Sequence, residues 1–202
     1  MLLSHRKSSH LKLTNKESEL SLKQYEKGDE ITVLNSDIWQ VYRGVVQLSR
    51  VKHDDSEIIV GWITANGTFS NCFDGEWESY RAIALDTVYA RRYSLTDVMR
   101  YPLLARQFLT QYSDRLLKSE QLLSIIGVRR VEHRLKLLLL MLKQELGQAV
   151  GDEIRLQIRF THQHLAEAIC TTRVTITRIM GDFQNRSLIY LDSDRHIVFK
   201  NL

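Results

Sequence analysis

Hydrophobic and polar residues alternate in short runs along the first half of the chain, with turn-forming residues between the runs. Six runs have the length and alternation of β-strands: residues 30–34, 38–42, 45–51, 57–63, 81–85 and 88–93. Short strands separated by turn signals about every 8 to 12 residues are typical of small antiparallel barrels and sandwiches. The pattern therefore predicts an antiparallel β-roll over residues 25–97, preceded by a weakly ordered lead-in over residues 1–24.

The periodicity changes after residue 96, where hydrophobic residues begin to recur at helical spacing. A long helix is predicted over residues 98–127, and Pro102, the only proline of the chain, suits its first turn. Its apolar stripe, interrupted once at Ser119, consists of Leu109, Tyr112, Leu116, Leu123 and Ile126. Such a stripe is typical of the seam of a helical dimer. It also fits a helix that packs on its own roll, and periodicity does not separate the two.

Gly127 interrupts the helical pattern, so a domain boundary is predicted at residues 127–131. An amphipathic helix is expected next, over residues 131–146. Its apolar face consists of Leu135, Leu138, Leu139, Leu142 and Leu146. Gly147 and Gly151 are expected to frame a loop. The alternation of residues 154–160 then predicts a strand that leads directly into Thr161.

Residues 161–185 have the pattern of two short helices joined by a tight turn. Thr161 and Thr172 each suit the N-cap of a helix. The first helix is expected to turn Leu165, Ala168 and Ile169 inward. The second, over residues 172–184, has an apolar stripe of Ile176, Ile179, Met180 and Phe183. So short a connection between two helices predicts a helix-turn-helix unit.

A β-hairpin is expected after the helix pair. Residues 188–191 and 196–199 are strand-like, and the Asp-Ser-Asp-Arg sequence between them favours a turn. With this wing, residues 128–202 form a winged helix domain. The predicted fold class is α+β: an N-terminal antiparallel β-roll, a long dimerisation helix and a C-terminal winged helix-turn-helix.

The second helix of the pair carries unusual residues on the face opposite its apolar stripe. Arg173 and Arg178 can each donate two parallel hydrogen bonds to a guanine, and Val174 can contact a thymine methyl group. Polar side chains near the two helix N-termini suit contacts with DNA phosphates. These phosphate candidates are Thr161, His162, Gln163, Thr172 and Thr175. The alternative is that the arginines are solvated charges on an ordinary helix.

The charge distribution also favours DNA as a partner of the C-terminal part. The 202-residue chain has a formal net charge of +4. Residues 1–127 carry 16 basic and 16 acidic side chains, whereas residues 128–202 carry 12 and 8. The whole positive excess therefore lies in the predicted winged helix domain, where it would attract the phosphates of double-stranded DNA.

Composition argues against secreted and membrane proteins. Cys72 and Cys170 are the only cysteines, too few for a disulfide framework or a four-ligand zinc site, so a reducing cytoplasm is expected. The longest nearly apolar run, residues 137–142, is far shorter than the roughly 20 residues of a membrane span. The polar N-terminus lacks the apolar region of a secretory signal.

Catalysis has no support in the sequence, because no nucleophile with a base and an orienting group is apparent. An alternative, a cupin-like roll that acts as an enzyme, needs several inward His and Glu residues, and His53 is the only histidine of the roll region. Residues 53–55 are interpreted as a solvated hairpin tip, so no metal site is expected. Both cysteines are interpreted as small buried residues, and a redox switch at Cys170 is the minor alternative. The tryptophans are interpreted as core residues: Trp39, Trp62 and Trp77.

One stretch resembles a known family. Residues 161–182, THQHLAEAICTTRVTITRIMGD, resemble the helix-turn-helix of the CRP/FNR superfamily of bacterial transcription regulators, and within it the cyanobacterial global nitrogen regulators. Weaker, colinear similarity at residues 28–31, 42–50 and 67–69 extends the resemblance to residues 25–202. It implies a homodimer formed along the Leu109 to Ile126 helix. RNA polymerase is retained as a candidate partner.

The resemblance also implies how DNA is read. Arg173, Val174 and Arg178 match the family's DNA-reading positions. Relatives with Glu in place of Val174 read a different half-site. Val at this position is similar to the nitrogen regulators, whose sites are palindromes with GTA and TAC half-sites, so a related palindrome is expected. The two half-sites would lie one helical turn apart.

The segment of residues 69–79 departs from the cyclic-nucleotide members of the family. It lacks their Gly-Glu pair and places Glu78 where the phosphate-binding arginine would fall. An acidic segment is a poor site for an anion. It therefore argues against the binding of cyclic AMP and, only slightly less, against the binding of 2-oxoglutarate, the ligand of the nitrogen regulators. No cofactor is therefore expected, and a constitutive or protein-partnered regulator without an effector is the alternative function.

Overall fold

The computed structural model of the protein describes residues 21–34, 37–51, 57–70 and 79–200. Short strands form the N-terminal part, and helices mixed with two hairpins form the C-terminal part. The N-terminal strands are β1 (Lys23–Tyr25), β2 (Asp37–Arg43), β3 (Val46–Val51), β4 (Glu57–Ile63), β5 (Thr68–Ser70), β6 (Ser79–Ala84) and β7 (Val88–Ser94).

Two antiparallel sheets make up the roll, with strand orders β1-β7-β2-β5 and β4-β3-β6. Their facing sides enclose a core that includes Trp39, Leu48 and Phe69. Trp39 stacks on Phe69 with the ring centroids 6.4 Å apart. The polar side chains buried in the described strands of the roll are Gln40, Gln47, Ser49, Thr68 and Ser70, and none of them is a His, Asp or Glu. A cupin-like site would need metal-binding side chains there, so that alternative is not favoured.

Five of the six predicted strands of the roll are confirmed, and one is wrong. Strands β2, β3, β4, β6 and β7 lie within two residues of their predicted bounds. Residues 30–34 do not form the predicted strand, because they make only isolated hydrogen bonds with β6, such as Ile31 N to Ala82 O at 2.8 Å. The predicted lead-in is wrong at Lys23 and Gln24, which pair with β7 as part of β1.

Two helices occupy the region in which one long helix is predicted. They are α1 (Leu95–Arg100) and α2 (Pro102–Ile126). Tyr101 between them is extended, with φ −120° and ψ 95°, because the residue before a proline is disfavoured in the helical region. Across the described residues, no helix combines the length and the hydropathy needed to cross a membrane.

The C-terminal part is a winged helix. Its elements are α3 (Val131–Leu146), β8 (Gly147–Val150), β9 (Glu153–Leu156), α4 (His162–Ala168), α5 (Arg173–Asn185), β10 (Ile189–Leu191) and β11 (Ile197–Phe199). The sheet order is β10-β11-β9-β8. The predicted wing is thus confirmed. The loop expected at residues 147–151 is wrong, because β8 pairs with β9 in a hairpin. The strand expected over residues 154–160 ends at Leu156.

The two parts of the molecule share one buried core. The five predicted leucines of α3 are buried in it, and it continues into the roll through Val45, Ile59, Trp62 and Leu85. Trp62 of β4 meets Phe160 edge to face, with ring centroids 5.6 Å apart. Residues 127–130 connect α2 to α3, and a domain boundary there stays a prediction. The roll nevertheless holds the winged helix by direct packing.

The buried stripe of α5 generates a prediction on stability. Phe183→Ala is expected to lower the free energy of unfolding by about 3–5 kcal/mol, because Phe183 is buried and its removal leaves a cavity. Urea denaturation followed by circular dichroism measures the loss. Its exposed neighbour Gln184 provides the control, since Gln184→Ala is expected to change stability by no more than about 0.5 kcal/mol. Equal losses in the two variants would contradict the burial.

Candidate nucleic-acid interface

Each helix of the predicted helix-turn-helix begins at its predicted cap. The Thr161 hydroxyl accepts a hydrogen bond from His164 N at 3.1 Å, and His164 Nδ1 accepts one from Thr161 N at 3.5 Å. At α5, the Thr172 hydroxyl accepts from Thr175 N at 3.2 Å. Both caps satisfy amide groups that have no partner within their helix, so the start of each helix is defined locally.

The turn between α4 and α5 depends on Cys170. Its backbone has a positive φ of 53°, and this left-handed conformation lets Thr171 N donate to Ala166 O at 2.9 Å, which ends α4. The Cys170 side chain is exposed, so the expectation that it is buried is wrong. Arg134 of α3 also supports the turn, because its Nη1 donates a hydrogen bond to Ile169 O at 2.9 Å.

Helix α5 separates into a buried face and an exposed face. The predicted stripe of Ile176, Ile179, Met180 and Phe183 is buried. Arg173, Thr177 and Arg178 are exposed on the other side, and Val174 keeps 78% of its surface in solvent. Val174 thus presents its apolar side chain to solvent beside the two arginines. The three predicted base-reading residues therefore share one accessible surface.

The five candidate phosphate-binding residues surround the N-termini of α4 and α5 but differ in solvent exposure. Thr161, Gln163 and Thr172 are exposed, whereas His162 and Thr175 are half-buried. His162 Nδ1 is 2.8 Å from the Thr177 hydroxyl, which joins the start of α4 to α5. Gln163 Nε2 donates to Glu167 Oε1 at 2.7 Å. These hydrogen bonds hold the His162 and Gln163 side chains in place.

Sequence reasoning did not identify two further arginines at this surface. A groove between α4, α5 and the wing is lined by Arg159, Arg173 and Arg195, together with Thr161 and His162. Arg195 lies in the wing turn with a positive φ of 66°. Residues 159 and 195 meet Arg173 only after folding. In the sequence, the only indication of this surface was a basic residue, Arg195, in the predicted wing turn.

The Asp192 carboxylate holds the wing turn in place through hydrogen bonds and an ion pair. Asp192 Oδ1 accepts hydrogen bonds from Asp194 N at 3.0 Å and His196 N at 2.8 Å. Arg155 Nε lies 2.5 Å from Asp192 Oδ2, and this guanidinium holds the pKa of Asp192 below its usual value. The turn therefore presents Arg195 on a braced hairpin.

The arginines near the N-terminal end of α5 differ from Arg186, at its C-terminal end, in whether they form ion pairs. Arg186, at the other end of the helix, lies 2.9 Å from Glu132 and 3.2 Å from Asp182. Among the residues with described positions, Arg159, Arg173, Arg178 and Arg195 make no ion pair with a carboxylate. Positive charge is thus neutralised at the C-terminal end of α5 and free near its N-terminal end, where the helix dipole also favours an anion.

The predicted dimer stripe of α2 divides between two directions. Leu109, Leu116 and Leu123 keep 70%, 60% and 69% of their surfaces in solvent. Tyr112 instead donates a hydrogen bond to the Ser70 hydroxyl of the roll, and Ile126 packs against the shared core. The side of α2 that faces inward consists of Phe108, Leu122 and Ile125. Packing on the chain's own roll and core thus holds for Tyr112 and Ile126, whereas the dimer seam of the three exposed leucines stays a prediction.

Other candidates of the sequence fall into two groups. Trp39 and Trp62 are core residues as predicted, whereas Trp77, Cys72, residues 53–55 and most of the segment 69–79, including Glu78, lie outside the described residues. Within the described ranges, no three His, Cys, Asp or Glu residues form a metal-binding cluster.

Comparison with known proteins gives consistent results along the chain. Residues 133–202 match the Crp-like helix-turn-helix domain. The chain is 31% identical over 191 residues to the global nitrogen regulator of Synechococcus elongatus, which covers 89% of this chain and 86% of that protein. It is 32% identical over 164 residues to the regulatory protein CysR of the same organism, covering 76% and 71%.

Solved structures share the whole architecture. A transcriptional regulator of the CRP/FNR family from Thermus thermophilus has a TM-score of 0.73 at 19% identity, covering 90% of this chain and 94% of its own. A cyclic nucleotide-binding domain containing protein from Listeria monocytogenes has a TM-score of 0.76 at 14% identity, covering 93% and 92%. These structures confirm the predicted fold of roll, long helix and winged helix-turn-helix.

The position of His162 generates a prediction on pH dependence. Burial, and next the charge of Arg173, lower the pKa of His162 below its usual value of about 6.5. The folded protein thus binds this proton less tightly than the unfolded chain. The stability linked to neutral His162 is therefore present above about pH 6.5 and is lost as the pH falls through the lower pKa of the folded state.

An NMR titration of the His162 ring measures this pKa directly. Arg173→Ala is expected to raise the pKa of His162 only part of the way to the ordinary value, since burial remains. Arg178→Ala serves as the control and is expected to leave it unchanged. A wild-type pKa of His162 at or above about 6.5 would contradict the prediction.

Proposed function

The chain belongs to the CRP/FNR family of DNA-binding transcription regulators, and from that premise we propose that it acts as a homodimer on a palindromic site. The N-terminal half of α5 enters the major groove of each half-site. The observation that carries the proposal is the division of α5, whose apolar stripe is buried while Arg173, Val174 and Arg178 are exposed together. A regulator of this kind works beside its DNA, in the cytoplasm of a bacterium.

Base reading is assigned to three residues at one end of the helix. Either Arg173 or Arg178 can donate two hydrogen bonds to O6 and N7 of the guanine in a half-site, and Val174 packs against a thymine methyl group. Positions 173, 174, 177 and 178 lie on one side of a helix of 3.6 residues per turn, so these side chains meet neighbouring base pairs. The resemblance of this run to the nitrogen regulators favours half-sites related to GTA and TAC.

Phosphate contacts are assigned to the surface around this face. Thr161, His162, Gln163, Thr172 and Thr175 surround the N-termini of α4 and α5, where amide groups and the helix dipole favour anions. Arg159 and Arg195 extend the same surface along the groove beside Arg173. These contacts position the helix without reading sequence.

Dimerisation is assigned to the outer side of α2. Leu109, Leu116 and Leu123 are spaced by seven residues, which is the heptad repeat of a two-helix seam, and they are exposed in the single chain. Tyr112 and Ile126 flank this seam and connect it to the roll and the shared core. A two-fold dimer would place its recognition helices about 34–36 Å apart on two half-sites.

The base-reading role of Arg173 can be tested by substitution. Arg173→Ala is expected to weaken binding to the specific site by about 1–3 kcal/mol and to relax the preference at one base per half-site. Selection from a random DNA pool identifies the site, and fluorescence anisotropy then measures the affinity. Arg186→Ala removes an equal charge from the far end of α5 and is expected to keep both affinity and preference. Equal losses on specific and random DNA would exclude the base-reading role.

The seam can be tested with two neighbouring leucines. Leu116→Glu is expected to convert the protein into a monomer at micromolar concentration, because it buries a charge in the seam. Sedimentation velocity measures the species. Leu117, which is 64% exposed, lies about 100° further round the helix, so Leu117→Glu is expected to stay dimeric. A dimeric Leu116→Glu protein would refute the assignment.

A further inference from the structure

His162 lies in a groove whose charged side chains are all positive. Between α4, α5 and the wing, this groove is lined by Arg159, Arg173 and Arg195 together with the His162 ring. Its other lining residues are uncharged: Phe160, Thr161, Gln163, Met180, Leu191 and Ile197. In the described part of the chain, no carboxylate lines the groove, so nothing within it balances the positive charge.

Carboxylates on the elements around the groove are engaged elsewhere. On α4, Glu167 Oε1 accepts a hydrogen bond from Gln163 Nε2 at 2.7 Å. In the wing turn, Arg155 Nε lies 2.5 Å from Asp192 Oδ2, and Arg155 Nη2 lies 3.6 Å from Asp194 Oδ2. The charges that can act on the His162 ring from within the groove are therefore those of the arginines.

The surroundings of His162 differ from those of the second histidine of α4. Burial lowers the pKa of both His162 and His164, and Arg173 then lowers that of His162 further. After burial, the charges that act on His164 come from its own helix and from the roll: Glu167, Lys27 and Glu57. His162 alone is thus set among positive charges, and it is neutral near pH 7 in the free protein.

The Thr177 hydroxyl determines which nitrogen of the neutral His162 ring carries the hydrogen. Thr177 Oγ1 donates to Arg173 O at 2.9 Å, which uses the only hydrogen of the hydroxyl. The same oxygen therefore accepts from His162 Nδ1, 2.8 Å away. Within the described residues, Nε2 has no hydrogen-bond partner and is not one of the buried unpaired atoms. A proton can be added at Nε2 without breaking the contact that orients the ring.

Bound DNA would reverse the electrostatic environment of this ring. Phosphates that meet the groove neutralise its arginines and add negative charge beside His162. A negative charge within about 4–6 Å favours the charged form of histidine. The imidazolium donates from both nitrogens, so Nε2 can donate to a phosphate oxygen while Nδ1 keeps its bond to Thr177.

We propose that His162 takes up a proton at Nε2 when the protein binds DNA, and that the resulting imidazolium is a phosphate contact that exists only in the complex. The inference rests on the proposed function, because a phosphate at the groove is needed to hold the proton. Protonation and DNA binding favour each other by linkage. DNA therefore binds more tightly as the pH falls, with at most one proton taken up at each half-site.

The pH dependence of DNA affinity tests the coupling. Fluorescence anisotropy with the selected DNA site is measured at pH 6, 7 and 8 and at one ionic strength. The dissociation constant of the wild-type protein is expected to rise at least about fivefold from pH 6 to pH 8, a typical size for a coupling. His162→Gln keeps a neutral hydrogen-bonding side chain, and its dissociation constant is expected to change less than about twofold over this range.

A permanent positive charge at the same position provides a rescue. His162→Arg is expected to bind DNA at pH 8 about as tightly as the wild-type protein does at pH 6, because arginine stays charged at both pH values. Its affinity is expected to be as insensitive to pH as that of His162→Gln. Circular dichroism verifies that both variants are folded before their affinities are compared.

Isothermal titration calorimetry counts the protons directly. The enthalpy of DNA binding at pH 7 is measured in PIPES and in imidazole, whose ionisation enthalpies differ, and the difference gives the number of protons taken up. A positive number is expected for the wild-type protein and a number near zero for His162→Gln. His133 is exposed on α3 and does not line the groove, so His133→Gln is the control and is expected to match the wild-type protein.

Specific DNA binding by the wild-type protein without proton uptake overturns the inference. Proton uptake that persists undiminished in His162→Gln also overturns it, as does a pH dependence that is retained by His162→Arg. Failure of the proposed function gives a different result, namely no preference for any DNA sequence at any of the three pH values, and the inference then falls with it.

Discussion

The burial of Trp62 against Phe160 is the constraint on which the arrangement of the molecule depends. It joins a strand of the roll to the residue that directly precedes the Thr161 cap, so the roll holds the N-terminus of α4 in its position in the molecule. A buried aromatic pair contributes both a large apolar area and a preferred edge-to-face geometry. Arg134 adds a second support at Ile169 O. The helix-turn-helix is therefore part of one core rather than a separate module on a flexible tether.

Helices α2 and α5 obey the same rule, in which a buried face orients an exposed one. In α5 the buried stripe leaves Arg173 and Arg178 in solvent, and the pairing of Arg186 with Glu132 and Asp182 confines free positive charge to the other end. In α2 the inward residues anchor the helix to the core and leave three leucines outside. Such a surface on a single chain is typical of an interface.

Much of the fold and of the candidate site could be predicted because the signals are local. The Thr161 and Thr172 caps, the apolar stripe of α5 and the longer strands depend on residue spacing within one element, and the structure has them as predicted. The three-residue strands β1 and β5 were not predicted, whereas the equally short β10 and β11 were, because the Asp-Ser-Asp-Arg turn between them marks a hairpin. Cys170 was placed in the core because its residue type is usually buried, whereas the backbone conformation that ends α4 exposes it.

The sequence by itself determined which elements form and which side of each is apolar, because hydrogen bonding and side-chain direction repeat within a few residues. It also determined the excess of positive charge in the last 75 residues. Only the tertiary structure decided which distant residues meet. Arg159 and Arg195 join Arg173 in one groove, Tyr112 turns to the roll while Leu116 stays exposed, and Trp62 lines a cavity with Gln111. These pairings follow from the burial of whole faces against one another, which no spacing along the chain encodes.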